Sequence, residues 1–232
     1  MNPLDKHYQE FMGVDISEFN KDKRIFKSKY RDLALNNKYF YPIIQTKYFG
    51  QPILSVSPKY YNELIDISND EISSLDDILK KFLINNPSYK KRKMHRYVYP
   101  SNNNRSTISQ RMTSQDVDRL EFCENFNFEE YKRRKKKIFE EGRQFIVEES
   151  NKIASIGFIS EIRAGAGNIV VMTMDCYRGK GYGKEVVKGC INWCIEKEIL
   201  PIYLVEEHNY ISQKIPESLG FDKISDEIII SK

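Results

Sequence analysis

The chain has 232 residues, 40% apolar and 30% charged, with a formal net charge of +4. That length builds a core for one large domain or two small ones. A mean hydropathy of −0.59, with no long uncharged apolar run, excludes a membrane-spanning helix. The opening MNPLDKHYQEF holds no apolar signal stretch, so the expected location is the cytoplasm.

Residues 1–106 read as an N-terminal α/β segment. HYQEFM and FKSKYRDLAL have the apolar spacing of amphipathic helices. QPILSVSPKYYNELIDI reads as a strand and then a helix, with Ser57 as N-cap and Pro58 at the first helical position. SSLDDILKKFLINN is a further helix, with Leu75, Ile78, Leu79, Phe82 and Leu83 on one face, ending at Asn-Asn-Pro. The basic run KKRKMHR at 90–96 reads as a loop or a strand edge, leading into a strand through MHRYVYP. The polar stretch SNNNRS at 101–106 is the expected boundary.

Residues 107–232 are more regular. TISQRMTSQDVDRLEFCENF reads as a strand end and a helix, with Thr113 and Asp116 at capping-box spacing. A second helix covers about 128–141 and stops at Gly142. Its run KRRKKK at 132–137, flanked by acidic pairs, reads as a solvated helix face rather than a nucleic-acid contact. RQFIVEE and KIASIGFISEI form a hairpin through Ser150-Asn151, and RAGAG turns the chain again. NIVVMTM has the composition of a strand buried on both faces. KEVVKGCINWCIEKE is a helix turning Val186, Val187, Cys190, Ile191 and Cys194 to a core. LPIYLVEEHN is a strand, ISQKIPESLGF a short helix interrupted in pattern at Pro216, and FDKISDEIIISK one or two strands. Of the four cysteines, Cys190 and Cys194 share a helical face and read as small core side chains. With Cys123 and Cys176 and the scattered histidines they make no metal-ligand spacing, and no metal is expected.

Between the NIVVMTM strand and the following helix stands MDCYRGKGYGKEVV, residues 174–187. N–H groups at a helix start lack partners within the helix, and the helix dipole adds positive potential. Together they bind phosphate. Gly179, Gly181 and Gly183 allow close approach, and Arg178, Lys180 and Lys184 add charge at the rim. The Walker pattern is absent, and the third glycine comes one residue too early for a dinucleotide fingerprint.

Arg-Gly-Lys-Gly-Tyr-Gly, at 178–183, resembles the pyrophosphate loop of the GCN5-related N-acetyltransferases, Arg/Gln-x-x-Gly-x-Gly. Downstream, NYISQKIPESLGF resembles the same family's second signature. Asn209, Ser212, Ile215, Gly220 and Phe221 stand at its offsets. The resemblance covers about residues 107–232. It implies an α/β fold, a mixed and mostly antiparallel sheet flanked by helices, whose fourth and fifth strands splay apart around acetyl-CoA.

By that resemblance the backbone of Val171, Met172, Thr173 and Met174 would pair with the pantetheine. An N–H near Val171 or Met172 would polarise the acetyl carbonyl. Arg178, Gly179, Lys180, Gly181, Tyr182, Gly183 and Lys184 would hold the pyrophosphate, and Asn209 and Ser212 the pantetheine or its sulfur region. The implied reaction is direct attack of an amine on the thioester in a ternary complex. Cys176 has no histidine beside it in sequence to make it a nucleophile. The amine's proton needs an acceptor, and the candidates end the fifth strand. They are Glu206, Glu207 and His208, of which strand alternation would put Glu206 and His208 on one face. Many members place a Tyr seven residues after the Asn as acid for the thiolate. Here that position is Pro216, so Tyr210, Ser212 or water takes the role, or the chain is a non-catalytic acyl-CoA-binding or sensor module. The N-terminal pattern resembles a bacterial subgroup with an extra α/β segment. That segment either walls the acceptor pocket or buries a sheet edge and builds a homodimer. The expected partners are acetyl-CoA and an amine, with neither a membrane nor a nucleic acid.

Overall fold

The computed structural model describes residues 2–15, 24–34, 40–69, 74–120 and 127–232. Cys123 and the end of the helix expected after Asp116 lie outside them. The described residues form one ten-stranded mixed sheet with helices on both faces.

The chain begins with α1 (Pro3–Met12), capped by Asn2, whose side chain accepts from the Leu4 N–H, with Pro3 at its start. The described part of FKSKYRDLAL, residues 26–34, is not an α-helix. Ile25–Lys27 forms a short strand, β1, and Lys29–Asp32 a single 3-10 turn. Phe26 is 2% exposed, and pairing beside a buried strand outweighs its helical spacing to Tyr30 and Leu33. β2 (Ile43–Tyr48) and β3 (Gln51–Val56) make a hairpin. Ser57 caps a 3-10 turn that leads into α2 (Tyr61–Asn69), and Ser74 caps α3 (Leu75–Asn85). Leu75, Ile78, Leu79 and Phe82 are buried as the spacing requires.

The basic run 90–96 lies in β4 (Lys90–Val98). This is an interior strand, not a loop or edge. It sits between β9 (Leu200–Glu206) and β10 (Asp222–Ser231), antiparallel to both. Its cations face carboxylates, among them Arg92 with Glu206 and Lys93 with Glu207, both at 3.5 Å. After β5 (Gln110–Arg111), residues 114–119 form a 3-10 helix rather than an α-helix. The Thr113–Asp116 cap is present, with Thr113 N–H and Oγ1 donating to Asp116 Oδ2 at 2.7 and 2.8 Å.

α4 (Phe128–Glu140) carries most of the second basic run on its outer face, with Lys132 on Asp118, Lys136 near Glu140 and Lys137 near Glu141, whereas Lys135 turns over the Phe158 ring at 3.3 Å, where burial lowers its pKa to about 8. β6 (Gln144–Glu149), β7 (Lys152–Arg163) and β8 (Ala166–Thr173) follow as a meander. Ser150 and Asn151 have φ of 50° and 63°, as a two-residue hairpin turn demands. α5 (Tyr182–Glu196) then crosses to β9, parallel to β8. It packs Val186, Val187, Cys190, Ile191 and Cys194 against one face of the sheet, all fully buried. α6 (Tyr210–Ser218) leads to β10, a single strand. α6 is not interrupted at Pro216. The helix runs through it, and the proline is buried.

The sheet order is β1-β3-β2-β10-β4-β9-β8-β7-β6-β5, so strands from residues 1–106 continue the sheet of the later residues.

Candidate functional site

The parallel pairing of β8 with β9 covers only part of both strands. It runs from Ala166 opposite Leu200 to Ile169 opposite Tyr203 and stops. β8 continues to Thr173 and β9 to Glu206, each still paired on its far side, with β7 and β4. The strands therefore separate into a gap. NIVVMTM is not buried on both faces along its length. Met172 is 39% exposed.

The ladder fixes which backbone groups edge the gap. The Met174 N–H donates to the Ala154 carbonyl at 3.0 Å. Alternation along an antiparallel pair then turns Met172 toward β7 as well, and turns the N–H and C=O of Val171 and Thr173 toward the gap. The side chain of Val171 packs on the α5 core, whereas Val170 belongs to the opposite face of the sheet.

Past Thr173 come Met174 and a 3-10 turn over Asp175–Tyr177, in which Cys176 is exposed. The glycine turn follows. Gly179 and Gly181 have φ of +81° and +86°, and a Cβ added to either would meet nothing within 4 Å. Gly181 occupies the N-cap position of α5 without a capping side chain. Among the described residues the N–H groups of 179–183 find no backbone acceptor in this turn. The result is an open cradle of donors at the end of a fifteen-residue helix. Arg178 pairs with Asp175 at 2.7 Å and Lys180 with Glu149 at 2.8 Å. Lys180 holds the Glu149 carboxyl below its usual range. Gly183 is packed instead. A Cβ there would lie 3.2 Å from Thr173 Oγ1 and 3.4 Å from Ile215, so its bareness keeps the passage between β8, α5 and α6 clear.

Across the gap, Asn209 caps α6, its Oδ1 accepting from the Ser212 N–H at 3.1 Å. Glu206 ends β9 and shares a face with Leu204. Its side chain is 56% exposed and 3.5 Å from Arg92. β9 stops at Glu206, so alternation does not carry on to His208. His208 lies in the turn beyond, its side chain 84% exposed. Tyr210 is 66% exposed at the start of α6. Pro216 is buried and brings no acid.

On the face of the sheet opposite α5 there is a cavity of about 220 Å³. His7 and Phe11 of α1 close it from above, Arg96 comes from β4, and Asn168, Val170 and Leu204 come from the two strands that separate. In the sequence His7 is one histidine in an amphipathic helix, with no local signal of a site. Only the fold brings it to β8. Among the described residues no cluster of side chains could hold a metal ion, and no helix is long and apolar enough to cross a membrane.

A family model described as an acetyltransferase (GNAT) domain matches residues 77–222. Among solved structures, an acetyltransferase of the GNAT family from Colwellia psychrerythraea has a TM-score of 0.54 at 12% identity, over 77% of this chain and 75% of that one. A GCN5-related N-acetyltransferase from Sphaerobacter thermophilus also gives 0.54, at 11% identity, over 77% and 71% of the two chains. At these identities the likeness is one of fold. No curated relative matches the chain in sequence.

Proposed function

The chain belongs to the GNAT acetyltransferase family, and from that premise we propose that it transfers an acetyl group from acetyl-CoA to an amine by direct attack in a ternary complex. One observation supports this above the others. The gap between β8 and β9 opens beside a turn whose N–H groups are unpaired among the described residues. An extended chain with amides fits the gap as an added strand, and a pyrophosphate fits the cradle.

Residues 178–184 hold the pyrophosphate, with Lys180 exchanging Glu149 for it. Val171 and Thr173 offer their N–H and C=O to the pantetheine. Asn209 and Ser212 order the start of α6 beside it. Acetyl-CoA supplies an activated acyl group on a good leaving thiol. The Val171 N–H, aimed into the gap, stabilises charge that develops on the acetyl oxygen. Met172 turns its N–H to β7 and contributes its side chain to the acceptor face. Glu206, on that face at the gap's rim, takes the proton from the acceptor nitrogen, and His208 and Tyr210 stay in solvent.

The Glu206→Gln variant is expected to lower kcat a hundredfold or more at neutral pH, within the usual range for a general base. An unchanged rate from pH 6 to 9 would remove that role. A second reading has one observation in its favour, since Pro216 supplies no acid for the thiolate. If the chain is an acyl-CoA sensor, acetyl-CoA will raise its melting temperature and no amine will release thiol.

A further inference from the structure

Where many members of the family carry a tyrosine this chain has Pro216, so the departing thiolate needs another donor. The hydroxyls near the gap and on the α6 side of the sheet are mostly committed. Ser155 gives its one hydrogen to the Met172 carbonyl at 3.0 Å, so Thr173 Oγ1 donates to Ser155 Oγ, 2.9 Å away. Tyr97 donates to Glu217 at 3.0 Å, and Tyr182 donates to Glu149. Tyr210 stands in solvent. Ser212 is left.

Ser212 lies over the gap. Ser212, Ile215, Pro216 and Leu219 recur at the spacing of one helical face, and Pro216 and Leu219 are buried. A Cβ on Gly183 would lie 3.4 Å from the Ile215 δ-methyl, 3.2 Å from Thr173 Oγ1 and 3.7 Å from Val171 Cγ2. This face of α6 therefore meets β8 at the two residues whose N–H and C=O edge the gap. Ser212 is one turn nearer the start of α6. Its N–H is held by Asn209 at 3.1 Å, and the next side chain, Gln213, donates to the carbonyls of Glu206 and Glu207 at 3.2 and 2.7 Å. That turn is thus fixed above the end of β9.

Beneath it stands Tyr203. Counted on from Ile169 opposite Tyr203, the β8–β9 register brings Val171 level with Val205, two residues further along. Two residues of strand span about 6.6 Å, a distance that a tyrosine side chain covers. Tyr203 leans that way, since its hydroxyl is within hydrogen-bonding reach of Ser212. It is 3% exposed and edge-on to Phe221 at 6.3 Å. Burial pushes its phenol up to about 12, with the Ser212 side chain pulling the other way. It keeps its proton at any working pH and stays a donor.

We propose that Ser212 and Tyr203 together replace the missing acid, Ser212 Oγ donating a hydrogen bond to the thioester sulfur as the carbon–sulfur bond breaks, and Tyr203 positioning Ser212 by donating to it from below. This rests on the reading of the chain as an acetyltransferase. A departing thiolate only accepts, so the Ser212 hydrogen turns to sulfur and its lone pairs take the Tyr203 hydrogen. Each bond in such a chain strengthens the other. The amine nitrogen bonds to the acetyl carbon, the carbon–sulfur bond breaks, the electron pair leaves on sulfur, and the nitrogen's proton passes to Glu206. Neither hydroxyl gives up its proton, because a thiol, at about 8.5 for cysteine, is the stronger acid. Coenzyme A leaves as the thiolate and takes its proton from water.

The test measures amine-dependent thiol release, and titrates the thiol of bound coenzyme A by its thiolate absorbance. It compares the native protein with Tyr203→Phe, Ser212→Ala, Ser212→Thr and the double variant of Phe and Ala. Tyr203→Phe keeps the ring and its contact with Phe221. It should lower kcat about tenfold, the effect of one hydrogen bond to a charged group, and leave KM for acetyl-CoA unchanged. It should also raise the bound thiol's pKa by about one unit, the same free energy. Ser212→Ala should do likewise, the double variant should lose no more than Ser212→Ala alone, and Ser212→Thr should keep most of the activity. Should Tyr203→Phe fail to fold, the two variants at Ser212, on the half-buried start of α6, carry the test. An unchanged thiol pKa in Ser212→Ala overturns the bond to sulfur. Losses that add in the double variant overturn the action of Tyr203 through Ser212. Both leave the transferase standing, whereas no thiol release by the native protein with any amine overturns the transferase and this inference together.

Discussion

Gly181 and Gly183 are two residues apart and meet different demands. Gly181 holds a left-handed φ with empty space at its Cβ, and Gly183 has ordinary helical geometry with Thr173 and Ile215 pressed against it. Gly181→Val should cost roughly 1–2 kcal/mol of stability for the left-handed backbone and place a branched side chain over the N–H cradle. Calorimetry should then show the Kd for acetyl-CoA raised at least a hundredfold, with cooperative unfolding retained. An unchanged Kd would put the pyrophosphate elsewhere. His7 gives a second prediction. Its pKa is about 4 in the fold against ~6.5 in the unfolded chain. The unfolded chain therefore binds the proton more readily, and stability falls as pH drops from 6.5 to 4. The loss amounts to about 3 kcal/mol by pH 4. Urea unfolding of the native protein and His7→Phe across that window checks this, and the variant's curve should be flatter by that amount. Residue-scale features were legible where the chemistry is local. The glycine spacing and the signature spacing of Asn209 and Ser212 are set by near neighbours, although the cap those two form was seen only in the structure. His7 was not legible, because its tautomer is fixed by a carbonyl 157 positions away.

At the scale of elements, the separation of β8 from β9 does the positioning. Pairing ends at Ile169, so the N–H of Val171 serves no strand. A proline is tolerated in a strand where the N–H points away from the ladder, so Val171→Pro should fold. It should lower kcat by about 10²- to 10³-fold, the usual effect of losing one oxyanion donor. Stopped-flow thiol release measures it, and an unaltered kcat would assign the donor to another residue. The helix at 75–85 was legible from its apolar spacing, and the Thr113–Asp116 cap was legible although the element it starts is a 3-10 helix. FKSKYRDLAL was misread because spacing alone cannot see that Phe26 joins a strand beside β3. Most cations of the two basic runs have neutralising partners nearby, and those on β4 come from β9, β10, α3 and the turn after β9.

At the scale of the molecule, the N-terminal residues are part of the same sheet. β4 lies between β9 and β10, and β10 reaches β2 on its other side. Removing residues 1–99 would leave two long strands with bare edges, a setting that promotes aggregation. Such a fragment is expected to lose cooperative unfolding and to elute in the void volume of a sizing column. A monomeric, cooperatively folding fragment would show that the later residues suffice. This strand order could not be read from the sequence, since nothing local in KKRKMHRYV says which of ten strands will flank it. The same insertion carries Arg96 to the floor of the cavity, while α1 closes it from above.

The measurement that bears most directly on the whole account follows acetyl-CoA through binding and turnover in one experiment, a thermal shift alongside thiol release against an amine panel. At a hundredfold excess over Kd, acetyl-CoA should stabilise the fold by about 2.7 kcal/mol, roughly 5–10 °C for a chain of this size, and thiol should appear only when an amine is added. No shift at saturating acetyl-CoA and no amine-dependent thiol would contradict the claim that the gap between β8 and β9 is an acetyl-transfer site.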